Sequence, residues 1–78
     1  MMVQKYKFVE KNFSMLKKLT EKGYVSPKLL EYYNIYLTYV GIKDNSRLRR
    51  YKTVAEIKKV SQHTVRRAVC EMKRYIRD

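Results

Sequence analysis

The residues best suited to do chemistry lie in the segment VSQHTVRRAV, from Val60 to Val69. A Gln side chain can form two hydrogen bonds with the edge of adenine, and an Arg side chain can do the same with guanine. Two interpretations are open: this segment is the turn and start of a helix that contacts DNA, or it is one more basic amphipathic helix in a small bundle. Its polar residues are Ser61, Gln62, His63, Thr64, Arg66 and Arg67.

The net charge favours an anionic partner. The chain has 78 residues, with 19 Lys and Arg against 7 Asp and Glu, which gives a formal net charge of +12. Charge of one sign on a small protein repels itself and is typical of proteins that bind nucleic acid or an acidic membrane surface, and nucleic acid is the better candidate here. No run approaches the roughly 20 apolar residues of a membrane span, and the N-terminus lacks the apolar core of a signal peptide. We therefore expect no membrane association and a location in the cytoplasm, on the nucleoid, or in the host cytoplasm if the protein is viral.

Catalysis and metal binding are not expected. The acidic residues are scattered along the chain, and there is no glycine-rich phosphate loop. His63 and Cys70 stand two turns apart on one predicted helix, about 10 Å along its axis and beyond hydrogen-bond reach. One histidine and one cysteine are too few for a zinc site, and a lone cysteine forms no internal disulfide. The sequence thus predicts no enzyme activity, no metal and no cofactor.

Apolar spacing and capping residues predict two helices in the first half of the chain. From Val3 to Lys22, apolar residues recur three or four apart, as on one face of an amphipathic helix, and Gly23 is placed to close it. The following segment alternates apolar and polar residues as a strand would. Its ends favour a helix instead, because Ser26 precedes Pro27 at the start and Gly41 stands at the end.

The second predicted helix carries more aromatic surface than one partner helix covers. One interpretation places its tyrosines in the core with their hydroxyls at the rim. The other makes this helix a homodimer interface, since contiguous exposed apolar surface usually marks an interface. The candidate interface residues are Leu29, Tyr32, Tyr33, Tyr36, Tyr39 and Val40.

The composition of the segment from Lys43 to Lys52 predicts a polar, basic connection that can contain a short helical turn. Leu48 is the one residue of this segment that we expect to be buried. Thr53 followed three residues later by Glu56 forms a capping box, in which the Thr hydroxyl and the Glu carboxylate satisfy each other's backbone N–H groups. A short helix is therefore predicted to begin at Val54.

Spacing after this point favours a helix-turn-helix. Its two helices cross steeply, so the first needs a small residue at the crossing, which Ala55 supplies. The second needs an apolar residue one turn into its body, which Val65 supplies. Ser61 can act as the N-cap that starts the second helix directly after the turn.

The segment VSQHTVRRAV resembles the turn and recognition helix of GntR-type and related bacterial and archaeal transcription regulators, whose pattern reads approximately V-S-x-x-T-V-R-x-A-L. The resemblance extends from Ala55 to Val69, about a fifth of the chain, and implies that this segment binds DNA. Where the family usually has an aliphatic residue and then glycine, this sequence has Lys58 and Lys59. The turn must then form without glycine, and Ile57 is expected to supply the missing burial.

A second difference from the family concerns the β-hairpin wing that usually follows the recognition helix. Here the apolar pattern of the last helix continues to Ile76, which predicts a helix from Gln62 to Arg77 and leaves no room for a wing.

The outward positions of the last helix follow from its apolar pattern. Residues near the start of a recognition helix reach base edges, so the candidates for base contacts are Gln62, His63 and Arg66. Other cations and hydroxyls are expected to meet phosphates. These candidates are Arg47, Arg49, Arg50, Lys52, Ser61, Thr64, Arg67, Lys73 and Arg74. For every one of them, a solvated surface residue without a ligand is the alternative.

The sequence therefore predicts one all-α domain over residues 1–78, a small bundle of about four helices with a C-terminal helix-turn-helix. Residues 1–42 form the supporting and dimerisation helices, and residues 43–78 the basic loop and the helix-turn-helix. The predicted function is sequence-specific binding of double-stranded DNA by a homodimeric transcriptional regulator, with the last helix in the major groove. A protein-interaction module with a basic face, or a non-specific DNA- or RNA-binding protein, is the alternative.

Overall fold

The computed structural model describes residues 2–77, in which five helices and one pair of short strands are found. The protein is mostly helical, as predicted, although five helices stand where about four were expected. None of the helices in this range has the length and apolar content that a membrane span requires. In chain order the elements are β1 (Met2–Gln4), α1 (Lys5–Lys11), α2 (Phe13–Glu21), α3 (Lys28–Gly41), α4 (Arg47–Lys58), α5 (Gln62–Lys73) and β2 (Tyr75–Arg77).

The predicted first helix is divided in two at Asn12. Both the backbone N–H and the side-chain amide of Asn12 donate to the carbonyl oxygen of Phe8, at 3.1 and 2.9 Å. A side chain that binds nearby backbone competes with the helix, and here it ends α1; α2 then begins at the next residue, Phe13. Gly23 closes α2 in the left-handed conformation (φ 81°), as predicted, and the Tyr24 N–H reaches back to the Leu19 carbonyl.

The segment that begins at Ser26 is a helix, as its flanking residues predicted. Pro27 has helical backbone angles, and the Ser26 hydroxyl accepts the Lys28 N–H at 3.3 Å. Helix α3 ends at Gly41, as predicted, but the cap expected at this glycine lies one residue later, at Ile42, and Gly41 does not adopt a positive φ. The chain leaves the helix through Ile42, which is extended.

The predicted start of the next helix at Val54 is also wrong. Helix α4 begins at Arg47, and Ser46 is its N-cap, whose hydroxyl accepts the Arg49 N–H at 3.4 Å. The Asp44 carboxylate accepts the Ser46 N–H at 2.8 Å and fixes the approach to the cap. The expected basic connection is thus mostly helix, and Thr53 lies in the middle of it.

The last helix is shorter than predicted, because α5 ends at Lys73. Arg74 is extended (φ −62°, ψ 145°), and the next three residues form β2, which pairs antiparallel with β1 in the register Val3 opposite Ile76. The Lys5 N–H donates to the Arg74 carbonyl at 2.7 Å and continues this pairing. The two ends of the described chain are therefore joined.

Helix α3 lies at the centre of the core, where it packs against α1, α4 and α5 and contacts the start of α2. Three aromatic pairs connect it to its neighbours: Tyr6 with Tyr36, Phe13 with Tyr33, and Tyr39 with Tyr51, with ring centroids 5.0, 5.8 and 5.4 Å apart. Burial raises the pKa of the Tyr33, Tyr36 and Tyr51 phenols above their usual value, because the charged phenolate would lose its hydration in the core.

Candidate nucleic-acid interface

Helix α5 has one buried face and one exposed face. Its start agrees with the sequence, because the Ser61 hydroxyl accepts the Thr64 N–H at 3.1 Å and lies 3.0 Å from the Thr64 hydroxyl. The predicted apolar side is buried, which turns the opposite side to solvent. The buried residues are Val65, Ala68, Val69 and Met72, and the exposed ones include His63, Arg66, Arg67 and Cys70.

The connection between α4 and α5 forms without glycine. Lys59 adopts the left-handed conformation (φ 56°, ψ 45°), and within residues 2–77 no other non-glycine residue has a positive φ. The Val60 N–H donates to the Ala55 carbonyl at 3.0 Å, which is the hydrogen bond that closes a helix through a left-handed residue. Lysine therefore occupies the conformation that glycine adopts most easily, at some cost in strain.

Two apolar residues near this connection differ from expectation. Ile57 does not supply the missing burial, because 56% of its side chain is exposed. Val60 packs against the core instead. Ala55 and Val65, the residues expected at the crossing of the two helices, are both buried.

The three candidates for base contacts come together in one cleft between α4 and α5, which we call the α4-side cleft. Its volume is about 450 Å³. The residues from α4 bring one further cation, and there is no carboxylate among the lining side chains. The lining residues are Arg47, Leu48, Tyr51, Gln62, His63 and Arg66.

Sequence patterns missed two residues of this cleft. Leu48 was expected to be buried, but 74% of it is exposed at the cleft, and Tyr51 forms its wall. Tyr51 is buried, and burial raises the pKa of its phenol although Arg47 and Arg66 lie near it. The signal that could have located both residues is the pair Asp44 and Ser46, which starts α4 early enough to include them.

Arg50 is directed toward the core rather than toward solvent. Its Nη2 donates to the Tyr39 carbonyl at 3.2 Å, and its guanidinium carbon lies 3.9 Å from the centroid of the Tyr39 ring. Its Nε atom is buried without a hydrogen-bond partner among the described residues. This side chain therefore connects α4 to α3 and stands apart from the other candidate phosphate contacts.

The remaining candidate phosphate contacts lie at the surface of α4, of α5 and of the residues that flank α5. Thr64 is half-buried and the others are exposed. At the end of α5, Lys73 Nζ is 6.0 Å from the centroid of the Tyr39 ring, and Arg74 Nη1 is 3.6 Å from a carboxylate oxygen of Glu71. The exposed ones are Arg47, Arg49, Lys52, Ser61, Arg67, Lys73 and Arg74.

Positive charge is concentrated in the second half of the chain. The segment from Lys43 to Asp78 contains twelve of the 19 Lys and Arg and four of the 7 Asp and Glu. Its formal net charge is therefore +8, against +4 for the first 42 residues. The half that contains α4 and α5 is the half to which an anionic ligand is drawn most strongly.

The candidate dimer residues divide into two sets. Tyr33, Tyr36 and Tyr39 are covered by this chain's own side chains, which agrees with the interpretation of these tyrosines as core. Leu29 and Tyr32 are half-buried, and Val40 is 48% exposed. Only this second set has surface to offer a second copy.

Comparison of the chain with family models, with curated proteins and with solved structures gave no match.

Proposed function

We propose that this protein binds double-stranded DNA in a sequence-specific manner, with α5 in the major groove. The observation that carries the proposal is the α4-side cleft, where an amide, an imidazole and two guanidinium groups line one opening without a carboxylate. These are the groups that recognise base edges and phosphates, and they lie on two helices joined by a three-residue turn, Lys59 to Ser61.

Dimensions support this arrangement. A helix with its side chains is about 10–12 Å across, and the major groove of B-DNA is about 12 Å wide. Since α5 presents an exposed face opposite its buried one, it can enter the groove without unfolding any part of the core. We refer to α4, the turn and α5 as a helix-turn-helix in this sense.

The proposed role of each residue follows from its position on α5 or on its neighbouring elements. Gln62, His63 and Arg66 lie in the first turns of α5 and contact base edges in our proposal, with Gln suited to adenine and Arg to guanine. Cations and hydroxyls at the surface of α4, of α5 and of the residues that flank α5 contact phosphates in our proposal. Arg50 is left out of this set because its guanidinium is engaged with Tyr39. The proposed phosphate contacts are Arg47, Arg49, Lys52, Ser61, Thr64, Arg67, Lys73 and Arg74.

We further propose that the protein acts as a homodimeric transcriptional regulator. Val40 and Leu37 are exposed apolar residues one turn apart on α3, and they offer a surface for a second copy. Two-fold symmetry of the protein then requires two half-sites about 10 base pairs apart, or a multiple of that spacing.

Selection of binding sites from a pool of random duplexes tests the proposal. The expected result is an enriched sequence with two related halves, bound more tightly than random DNA at the same salt concentration. Uniform recovery of all sequences would identify a non-specific binder. A protein with a net charge of +12 should bind any duplex at low salt, so a failure to bind at all would favour an acidic protein partner instead.

A further inference from the structure

A second cleft lies on the opposite side of α5, and we call it the α3-side cleft. Its volume is about 390 Å³, and it is formed where α1 and the start of α3 approach α5. Three cations, a hydroxyl, a phenol and one carboxylate line it. The residues concerned are Lys5, Ser26, Lys28, Tyr32, Arg67 and Glu71.

The two clefts flank the exposed face of α5. Arg66 lines the α4-side cleft and Arg67 lines the α3-side cleft. Consecutive residues of a helix point about 100° apart, so these two guanidinium groups diverge from a common ridge. Each cleft also contains a cation from another helix. Arg47 of α4 lines the α4-side cleft, and Lys28 of α3 lines the α3-side cleft.

The carboxylate in the α3-side cleft is already neutralised. A Glu71 oxygen accepts a hydrogen bond from Lys5 Nζ at 2.8 Å, and this bond lowers the pKa of the Glu71 carboxyl below its usual value. Arg74 lies 3.6 Å from the other oxygen. Lys5 and Glu71 therefore form an ion pair that joins α1 to α5, and they contribute no net charge to the cleft.

Lys28 and Arg67 are the cations that remain for a ligand. Neither forms an ion pair with a carboxylate within residues 2–77, and both side chains are exposed. Lys28 Nζ lies 5.6 Å from the centroid of the Tyr32 ring, which keeps the ammonium group beside the cleft. An ammonium and a guanidinium group at one opening are a suitable pair of ligands for a phosphate.

We infer that the α3-side cleft binds a backbone phosphate of the DNA strand on the far side of the groove from the α4-side cleft. This inference rests on the proposed function, because it requires α5 to lie in the major groove. A helix in that groove has a sugar-phosphate backbone on each side, since its diameter nearly matches the groove width. Cations placed on both flanks then hold both strands, and α3 becomes part of the interface through Lys28.

The test compares the salt dependence of DNA binding in the wild-type protein and in Lys28→Gln. The absolute value of the negative slope of log K against log salt concentration, which we call the salt slope, falls by about 0.9 for each phosphate contact that is lost. We expect Lys28→Gln to lower the salt slope by about 0.9. The same substitution should weaken binding to the selected duplex and to random duplexes by the same factor. Arg67→Gln should have the same two effects.

Lys17→Gln is the matched control, because Lys17 is exposed on α2, lines neither cleft, and carries the same charge. Its slope should equal that of the wild-type protein. If Lys28→Gln and Lys17→Gln gave the same slope, or if Lys28→Gln weakened binding to the selected duplex alone, the inference would be overturned. Thermal unfolding of both variants shows whether either substitution affects the fold.

The same measurements separate this inference from the proposed function. If the wild-type protein showed no preference for the selected duplex while Lys28→Gln still lowered the slope, sequence-specific recognition would fail and the phosphate site would stand. If the wild-type protein bound no duplex, both would fail.

Discussion

Helices α3 and α5 contact each other extensively, yet they use their surfaces in different ways. Helix α3 contacts each of the other four helices and has charged side chains only in its first turn, Lys28 and Glu31. Helix α5 buries one face and exposes a second face that bears two guanidinium groups and an imidazole. Helix α3 is built for packing, whereas α5 leaves one face exposed to solvent.

This difference divides substitutions into two classes. Changes to the buried side chains of α3 should act on the free energy of unfolding, because these side chains complete the core. Changes to the exposed face of α5 should act on ligand binding and leave folding almost unaffected. Between them, the turn before α5 fixes where that face begins, and substitutions there should have intermediate effects on folding.

The largest effect is expected for Tyr39→Ala in α3. The Tyr39 side chain is 3% exposed, stacks on Tyr51 and lies under the Arg50 guanidinium. Removing a buried aromatic ring costs about 3–5 kcal/mol in free energy of unfolding, which urea denaturation measures. Asn34→Ala, on the exposed side of the same helix, should change it by less than about 0.5 kcal/mol. Equal urea midpoints for the two variants would refute the assignment of α3 as the packing helix.

A smaller loss is expected for Ser61→Ala. The Ser61 hydroxyl caps the first turn of α5 through the Thr64 N–H, and loss of such a cap costs about 1 kcal/mol. Ser14→Ala is the control and should be nearly neutral, because Ser14 is exposed on α2 and its side chain forms no hydrogen bond within residues 2–77. If both variants had the same thermal midpoint, the Ser61 cap would contribute nothing to the stability of the protein.

A gain in stability is expected for Lys59→Gly. A non-glycine residue in the left-handed conformation costs about 1–2 kcal/mol, and glycine adds about 0.5–1 kcal/mol of entropy to the unfolded chain, so the net gain is about 0.5–1 kcal/mol. Lys58→Gly provides the contrast, because Lys58 is the last residue of α4 and glycine there should destabilise the helix. Changes of the same sign in both variants would contradict the left-handed assignment of Lys59.

Where local residues decide the structure, the sequence was sufficient. The buried face of α5 follows from spacing alone, as Val65 and Met72 show. Ser61 caps α5 because a serine hydroxyl satisfies the free N–H groups at a helix start without help from the rest of the chain. Gly23 closes α2 for a similarly local reason.

Where contacts between distant residues decide the structure, the predictions from local patterns were wrong, as they were for the start of α4 and the end of α5. Thr53 with Glu56 and Asp44 with Ser46 are both credible starts for α4, and the choice depends on the burial of Tyr51 against Tyr39. The pairing of residues 2–4 with residues 75–77 lies beyond any local pattern, since the partners stand at opposite ends of the chain.

The candidate site divides in the same way. Rotation about α5 was enough to place Gln62, His63 and Arg66 on its exposed side. It could not reveal that Arg50 is directed toward α3, or that Lys28 and Arg67 line one cleft, because both features depend on how α3 lies against α4 and α5.

The most direct test of the account is the specificity ratio of Arg66→Ala, measured as affinity for the selected duplex divided by affinity for random DNA at one salt concentration. Because Arg66 is exposed on α5, the free energy of unfolding of the variant should lie within about 0.5 kcal/mol of the wild-type value. We predict that its ratio falls by roughly 5- to 150-fold, which corresponds to about 1–3 kcal/mol for one bidentate contact with a base. Arg49→Ala, a proposed phosphate contact, should weaken both affinities and leave the ratio unchanged. A ratio for Arg66→Ala equal to that of the wild-type protein would contradict the claim that α5 recognises DNA sequence through this residue.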